Sequence, residues 1–152
     1  MVARAHWLCV VMCGALFIAL EAGAAHARLP LVELTAGMYR IEAELAHTAE
    51  ARQTGLMHRE SLAEQRGMVF VFTYQARHCM WMRDTLIPLS VAFLDEAGTI
   101  LNIADMVPHD ETSHCAAAPA LYALEMNRGW FAQRGLEAGD RIGGIQALPA
   151  PR

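Results

Sequence analysis

Between residues 39 and 45 the chain alternates strictly, with Tyr39, Ile41, Ala43 and Leu45 apolar and Arg40, Glu42 and Glu44 charged. A period of two sends the apolar set to one face, so this segment is expected as a half-buried strand, preceded across a turn at Gly37 by a strand at 31–34. Residues 48–67 lose that period. They are rich in helix formers, with Thr48 as an N-cap and Ser61-x-x-Glu64 as a capping box, and predict one or two helical turns broken at Gly55 and ended at Gly67. The run 68–72 (MVFVF) reads as a buried strand, and HCMWM (78–82) is expected to continue the sheet after a connection at 74–76. Two apolar runs, 86–94 and 99–106, flank Asp95-Glu96-Ala97-Gly98 and form the clearest hairpin; Pro88 makes its strand an edge or an irregular one at that point. Then follow a polar loop at 107–119, a strand at 120–126, a helical turn from Asn127 to Gly135, and a turn leading into a last strand.

Six or more short strands with one or two minor helices predict a mainly β protein, a compact single-domain sandwich or distorted barrel. The domain is expected over 28–146, with 147–152 a loose C-terminal tail. Residues 1–27 fit none of these patterns. Arg4 opens a short basic start, the apolar run 7–20 follows, and Ala25-His26-Ala27 forms a cleavage pattern, so the segment reads as a secretory signal peptide. The apolar run is shorter than the roughly 20 residues that a membrane-spanning helix needs, which argues against a stable membrane anchor after cleavage. An exported protein, periplasmic or extracellular, is therefore expected.

All twelve basic residues among the 152 are Arg, against sixteen Asp and Glu, and the net charge of −4 makes nucleic acid a poor partner. Of the four cysteines, Cys9 and Cys13 fall in the signal. The remaining pair, Cys79 and Cys115, in an exported chain predicts a disulfide, with free or ligand-bound thiols as the alternative.

At GLMHRESLAEQRGMVFVF, WMRDTLIPLSVAFLDEAGTILNIADM and ALEMNRGWFAQRGLEAGD the chain resembles the bacterial and archaeal family called domain of unknown function 192. The resemblance spans about 51–142 and is carried by separated pieces in order: Gly55-Leu56-Met57-x-Arg59, Gly67-Met68, Trp81-Met82, Thr85-x-Ile87-Pro88-Leu89, Gly98, Leu124-Glu125, Gly129 and Gly139-Asp140. It implies a compact, mainly β, often exported fold with no assigned activity. Where the family usually has an aromatic residue followed by Trp-Met-Lys-Asn-Thr, this chain has Met80 before Trp81-Met82-Arg83-Asp84-Thr85; a family Asp two residues after the Pro is Ser90 here.

Three chemistries compete for these residues. His78, Met80 and Met82, with Cys79, His109, His114 and Cys115, contain ligands that suit copper. Strand alternation, however, places His78, Met80 and Met82 on one face and Cys79, Trp81 and Arg83 on the other, and no close-spaced ligand motif supports a metal; none is expected, nor a cofactor. An enzyme of undetermined class could use Cys79 with His78, His109 or His114, or a carboxylate pair drawn from Asp84, Glu125 and Asp140. The preferred reading is a non-catalytic binding or accessory module of the cell envelope, taking a small ligand or an envelope protein. Its expected site is Arg59, Trp81, Arg83, Asp84, Thr85 and Glu125, polar or amphipathic groups set among apolar ones. Against it stands the view that these are structural ties, Arg59 pairing with Glu125 or Asp140, and that Trp81 is simply core.

Overall fold

A computed structural model describes residues 29–152; the signal peptide expected at 1–27 lies outside the described residues. The elements in order are β1 (Leu31–Ala36), β2 (Tyr39–Ala46), α1 (Ala49–Thr54), β3 (Arg66–Ala76), β4 (Cys79–Met80), β5 (Leu89–Leu94), β6 (Ile100–Met106), β7 (His114–Cys115), β8 (Ala120–Asn127) and β9 (Ile142–Gly143). Seven of the strands form one sheet in the order β6-β5-β8-β3-β2-β1-β9. Every pairing in it is antiparallel except β2 with β3, which the α1 crossover makes parallel.

The sheet curls until its ends meet. Thr99 bridges Arg141, the Ile142 N–H donates to Gly98 O (2.9 Å) and the Ile100 N–H to Asp140 O (2.8 Å), so β9 at one edge is tied to the entry of β6 at the other. This is the distorted barrel of the two expected architectures, and the closure covers edge groups that would otherwise be open to another chain. All seven strands feed one enclosed core, with Leu34, Ile41, Val69, Leu94, Leu124, Met126 and Trp130 at its centre. A second core lies on the other face of the sheet, where α1 and the loops around 82–88 and 116 cover Met68, Phe70, Val91, Phe93 and Ala123. Burial on both faces is why β3 and β5 read as continuous apolar runs, whereas β2 alternates.

Several local expectations need correction. Thr48 does cap α1, accepting from the Ala51 N–H (3.1 Å), and Gly55 ends it. Residues 61–65 form no helix: the Asn127 side chain holds the carbonyls of Leu62 (3.0 Å) and Ala63 (3.2 Å), and Glu64 pairs with Arg134. Gly67 is no helix stop but a strand residue, because a Cβ there would lie 2.5 Å from the Glu125 backbone oxygen. Residues 74–76 belong to β3, and HCMWM does not continue the main sheet. Both sides of β3 are already occupied, by β2 and β8, so β4 pairs instead with β7 in a separate two-stranded sheet. Pro88 stands in irregular backbone just before β5, as one of its two expectations had it, and β5 is an internal strand rather than an edge. The C-terminal residues include a 3-10 turn at Ile145–Ala147, and the Arg152 N–H donates to His47 O (2.6 Å).

Candidate functional site

A cavity of about 500 Å³ opens on the outer face of the curled sheet. Its floor comes from the sheet: Phe70 and Phe72, two apart on β3, share a face, and Glu125 projects from neighbouring β8. One wall is the end of α1 with the turn after it, including Arg52, Leu56 and Met57. The opposite wall is the segment Cys79, Met80, Trp81, Arg83, Asp84 and Thr85.

The two walls are fixed by different means. Arg59 makes a two-pronged ion pair with Glu44 of β2 (2.9 and 2.6 Å), which anchors the turn carrying Leu56 and Met57 to the sheet. The far wall is pinned by the Cys79–Cys115 disulfide, joining residues directly opposite in the β4–β7 ladder. Where this wall turns, all three non-glycine residues of positive φ among those described converge: Asp84 (55°), His58 (61°) and His109 (62°). The His58 N–H donates to Asp84 O (2.8 Å) and the His109 N–H to Thr85 O (3.3 Å), so the turn at 82–85 is held from both sides in a conformation that such residues seldom adopt.

The electrostatics divide the cavity into mouth and floor. At the mouth Trp81 is 47% exposed, with the Arg83 guanidinium 4.5 Å from its ring centroid and paired to Glu111 (2.8 Å). That hydrogen bond raises the Arg83 pKa and holds Glu111 below the usual carboxylate range. Arg52 also lines the cavity, but its guanidinium donates to the carbonyls of His47, Val71 and Arg152. At the floor Glu125 is 4% exposed. Its cross-strand partners are Met68 and Val91, both fully buried and apolar, and burial alone pushes its carboxyl up to about 8. An ionised carboxylate without a partner would be costly there, so Glu125 is held as the neutral acid at pH 7.

Of the six residues expected at a site, Trp81, Arg83, Asp84, Thr85 and Glu125 line this one cavity and Arg59 does not. Arg59 pairs neither with Glu125 nor with Asp140, because Glu44 is the carboxylate that β2 brings beneath it. Asp140 accepts from the Glu137 N–H at the closure of the sheet, which removes it from any pair with Asp84 or Glu125. Trp81 is not core. Ser90, one of the departures from the family, faces the other side of β5, where its hydroxyl donates to Asp105 and accepts from the Gly129 N–H (2.8 Å). That departure does not reach the cavity.

Phe70, Phe72, Leu56, Met57 and Arg52 also line the cavity, and the sequence did not place them at a site. Four of the seven copper candidates are otherwise engaged: His78 stacks on Phe72 (3.8 Å between centroids) with Nε2 against Tyr74 O, Met82 is fully buried, and both Cys79 and Cys115 are oxidised. Among the described residues no three His, Cys, Asp or Glu side chains are grouped so as to hold a metal ion. The disulfide also removes Cys79 as a nucleophile.

A curled seven-stranded sheet with a buried acid beneath a disulfide-pinned wall describes a small mainly β class of protein. The chain belongs to the family domain of unknown function 192, described as "Uncharacterized ACR", which it matches over residues 32–144. The match starts in β1, so the two N-terminal strands belong to the family domain as well. Two similar solved structures extend this. One, from Sinorhizobium meliloti 1021 and described as a candidate transcription regulator, is 34% identical with a TM-score of 0.70, covering 76% of this chain and 93% of its own. The other, a protein of unknown function from Novosphingobium aromaticivorans DSM 12444, is 36% identical with a TM-score of 0.74, covering 85% of this chain and 99% of its own. No curated protein matches.

Proposed function

We propose that this protein is an exported, non-catalytic binding module of the cell envelope whose site is the cavity under Trp81. The observation that carries the reading is Glu125: an acid 4% exposed, with only apolar cross-strand partners, that turns into a cavity of ligand size. Keeping such a group at a core position lowers the stability of the fold, a cost that a binding role accounts for. The aromatic floor and the half-exposed Trp81 supply the apolar contact that a small ligand needs. Cys79, the thiol that a catalytic reading would use as nucleophile, is oxidised in the disulfide, which favours binding over turnover. The pattern of residues 1–27 supports export.

The test has two arms. Amide NMR spectra of residues 28–152 recorded with a library of small aromatic fragments should show shifts confined to residues 52–57, 70–72, 79–85 and 125. Shifts scattered over the surface, or none, would overturn the site. N-terminal sequencing of the protein made in its own host should find Arg28 first; a chain retaining residues 1–27 would overturn the export reading.

A further inference from the structure

We infer that the cavity takes a small neutral molecule with a ring-containing apolar body and an amide or lactam edge, and that Glu125 recognises that edge through its paired O–H donor and C=O acceptor. This rests on the binding reading above and names the ligand class for the same site. A protonated carboxyl presents one donor and one acceptor side by side, and an amide edge presents the same pair in reverse, so the two can close a double hydrogen bond. Among the described residues the strands on either side offer those groups no competitor, since β3 and β5 face Glu125 with Met68 and Val91.

Charged ligands fit less well. The charged groups lining the cavity besides Glu125 are Arg52, Arg83 and Asp84. An anion would find both cations committed, Arg83 to Glu111 and Arg52 to three backbone carbonyls. A cation would meet two guanidinium groups against the one carboxylate of Asp84, and Glu125 could offer it charge only by ionising between two apolar neighbours. A neutral edge asks for neither change. Phe70, Phe72 and Trp81 then provide ring surfaces for the body.

Four probes share one body and differ only in their head group: 2-naphthamide, 2-naphthoate, 2-naphthylmethylamine and 2-naphthylmethanol. Calorimetric titration of residues 28–152 should rank the amide first. Glu125→Gln, which keeps a neutral donor and acceptor, should retain amide affinity within about threefold, whereas Glu125→Leu should lose about tenfold or more. Amide affinity should also fall as pH rises past the range where Glu125 ionises, and in Glu125→Gln it should not. Amine binding that strengthens with pH and vanishes in Glu125→Gln would overturn the inference in favour of a carboxylate that holds cations. First place for naphthoate would overturn it in favour of an anion site. Equal affinity for alcohol and amide in all three proteins would show that Glu125 plays no part. In each of these cases the cavity still binds and the reading above stands. If none of the four moves the NMR signals of residues 79–85, that reading falls, and this inference with it.

Discussion

Strand β8 lies between two unlike environments. Leu124 and Met126 point into the enclosed core, where all seven strands contribute and both residues are fully buried. One residue along, Glu125 points to the outer face, where the covering layer leaves a cavity rather than close packing. The same backbone therefore carries a side chain that the fold needs and one that it would be more stable without. Close packing on the first face stabilises the curl; on the second, an acid is kept neutral by being starved of water and partners. The enclosed core sets the shape, and the outer layer is fastened by a disulfide on one side and an ion pair on the other.

The largest effect is expected at the enclosed face. Leu124→Ala should cost about 2–5 kcal/mol in urea denaturation, because the site cannot collapse around the lost methyl groups; a cost below about 1 kcal/mol would mean that the two faces are equally loose. Next comes the wall of the cavity. Replacing Cys79 and Cys115 together by Ser should cost roughly 3 kcal/mol by releasing the closed chain segment between them in the unfolded state. It should also weaken probe binding more than Leu124→Ala does among molecules that remain folded. Equal binding in both variants would show that the bridge serves the fold and not the site.

Glu125 sharpens the contrast through pH. Its carboxyl is raised to about 8 in the folded protein from an ordinary 4.5, so the folded state holds a proton that the unfolded state has released between those values. Stability is full below the unfolded value and falls as pH rises through the folded one. Glu125→Gln should therefore match the parent at pH 5 within about 1 kcal/mol and exceed it at pH 9 by about 2 kcal/mol or more. Parallel stability curves for the two proteins would mean that the acid is already ionised, with a partner, in the folded state.

What the sequence makes legible and what it hides follow from the physics of each signal. Alternation in β2 and the Asp95–Gly98 hairpin announce themselves because a period of two and a loop with Gly98 are local properties. The split of His78, Met80 and Met82 from Cys79, Trp81 and Arg83 also survives in their burial, even though only two of those residues are paired in a strand. The Cys79–Cys115 bond is legible from the cysteine count, but the separate β4–β7 sheet around it is not, because two residues have no period. Nor is the partner of Arg59: the sequence offers Glu125 and Asp140, and only the parallel crossover, which sets β2 under the turn, brings Glu44 to it. Phe70 and Phe72 were hidden for the opposite reason, because a continuous apolar run on a doubly covered strand does not say which face is packed and which is hollow. The signal that points to them is the acid in ALEM, since a carboxylate inside an apolar strand marks the face where something other than packing is at work.

The smallest effect belongs to the mouth. Arg83 is half-exposed and its pair with Glu111 lies in solvent, so the bond contributes little to folding. Arg83→Ala should shift the melting temperature by no more than about two degrees. Probe affinity should change more than stability does, because the guanidinium lies 4.5 Å over Trp81 and holds that ring at the rim. Trp81 fluorescence, isolated by replacing the buried Trp130 with Phe, then separates two roles for Arg83. A red-shifted and broadened emission in Arg83→Ala, with weaker binding, is the outcome of a ring released into water. Unchanged emission with a large drop in melting temperature would mean that Arg83 braces the 82–85 turn, and the division of the outer face into a packed floor and a solvent-facing mouth would have to be redrawn.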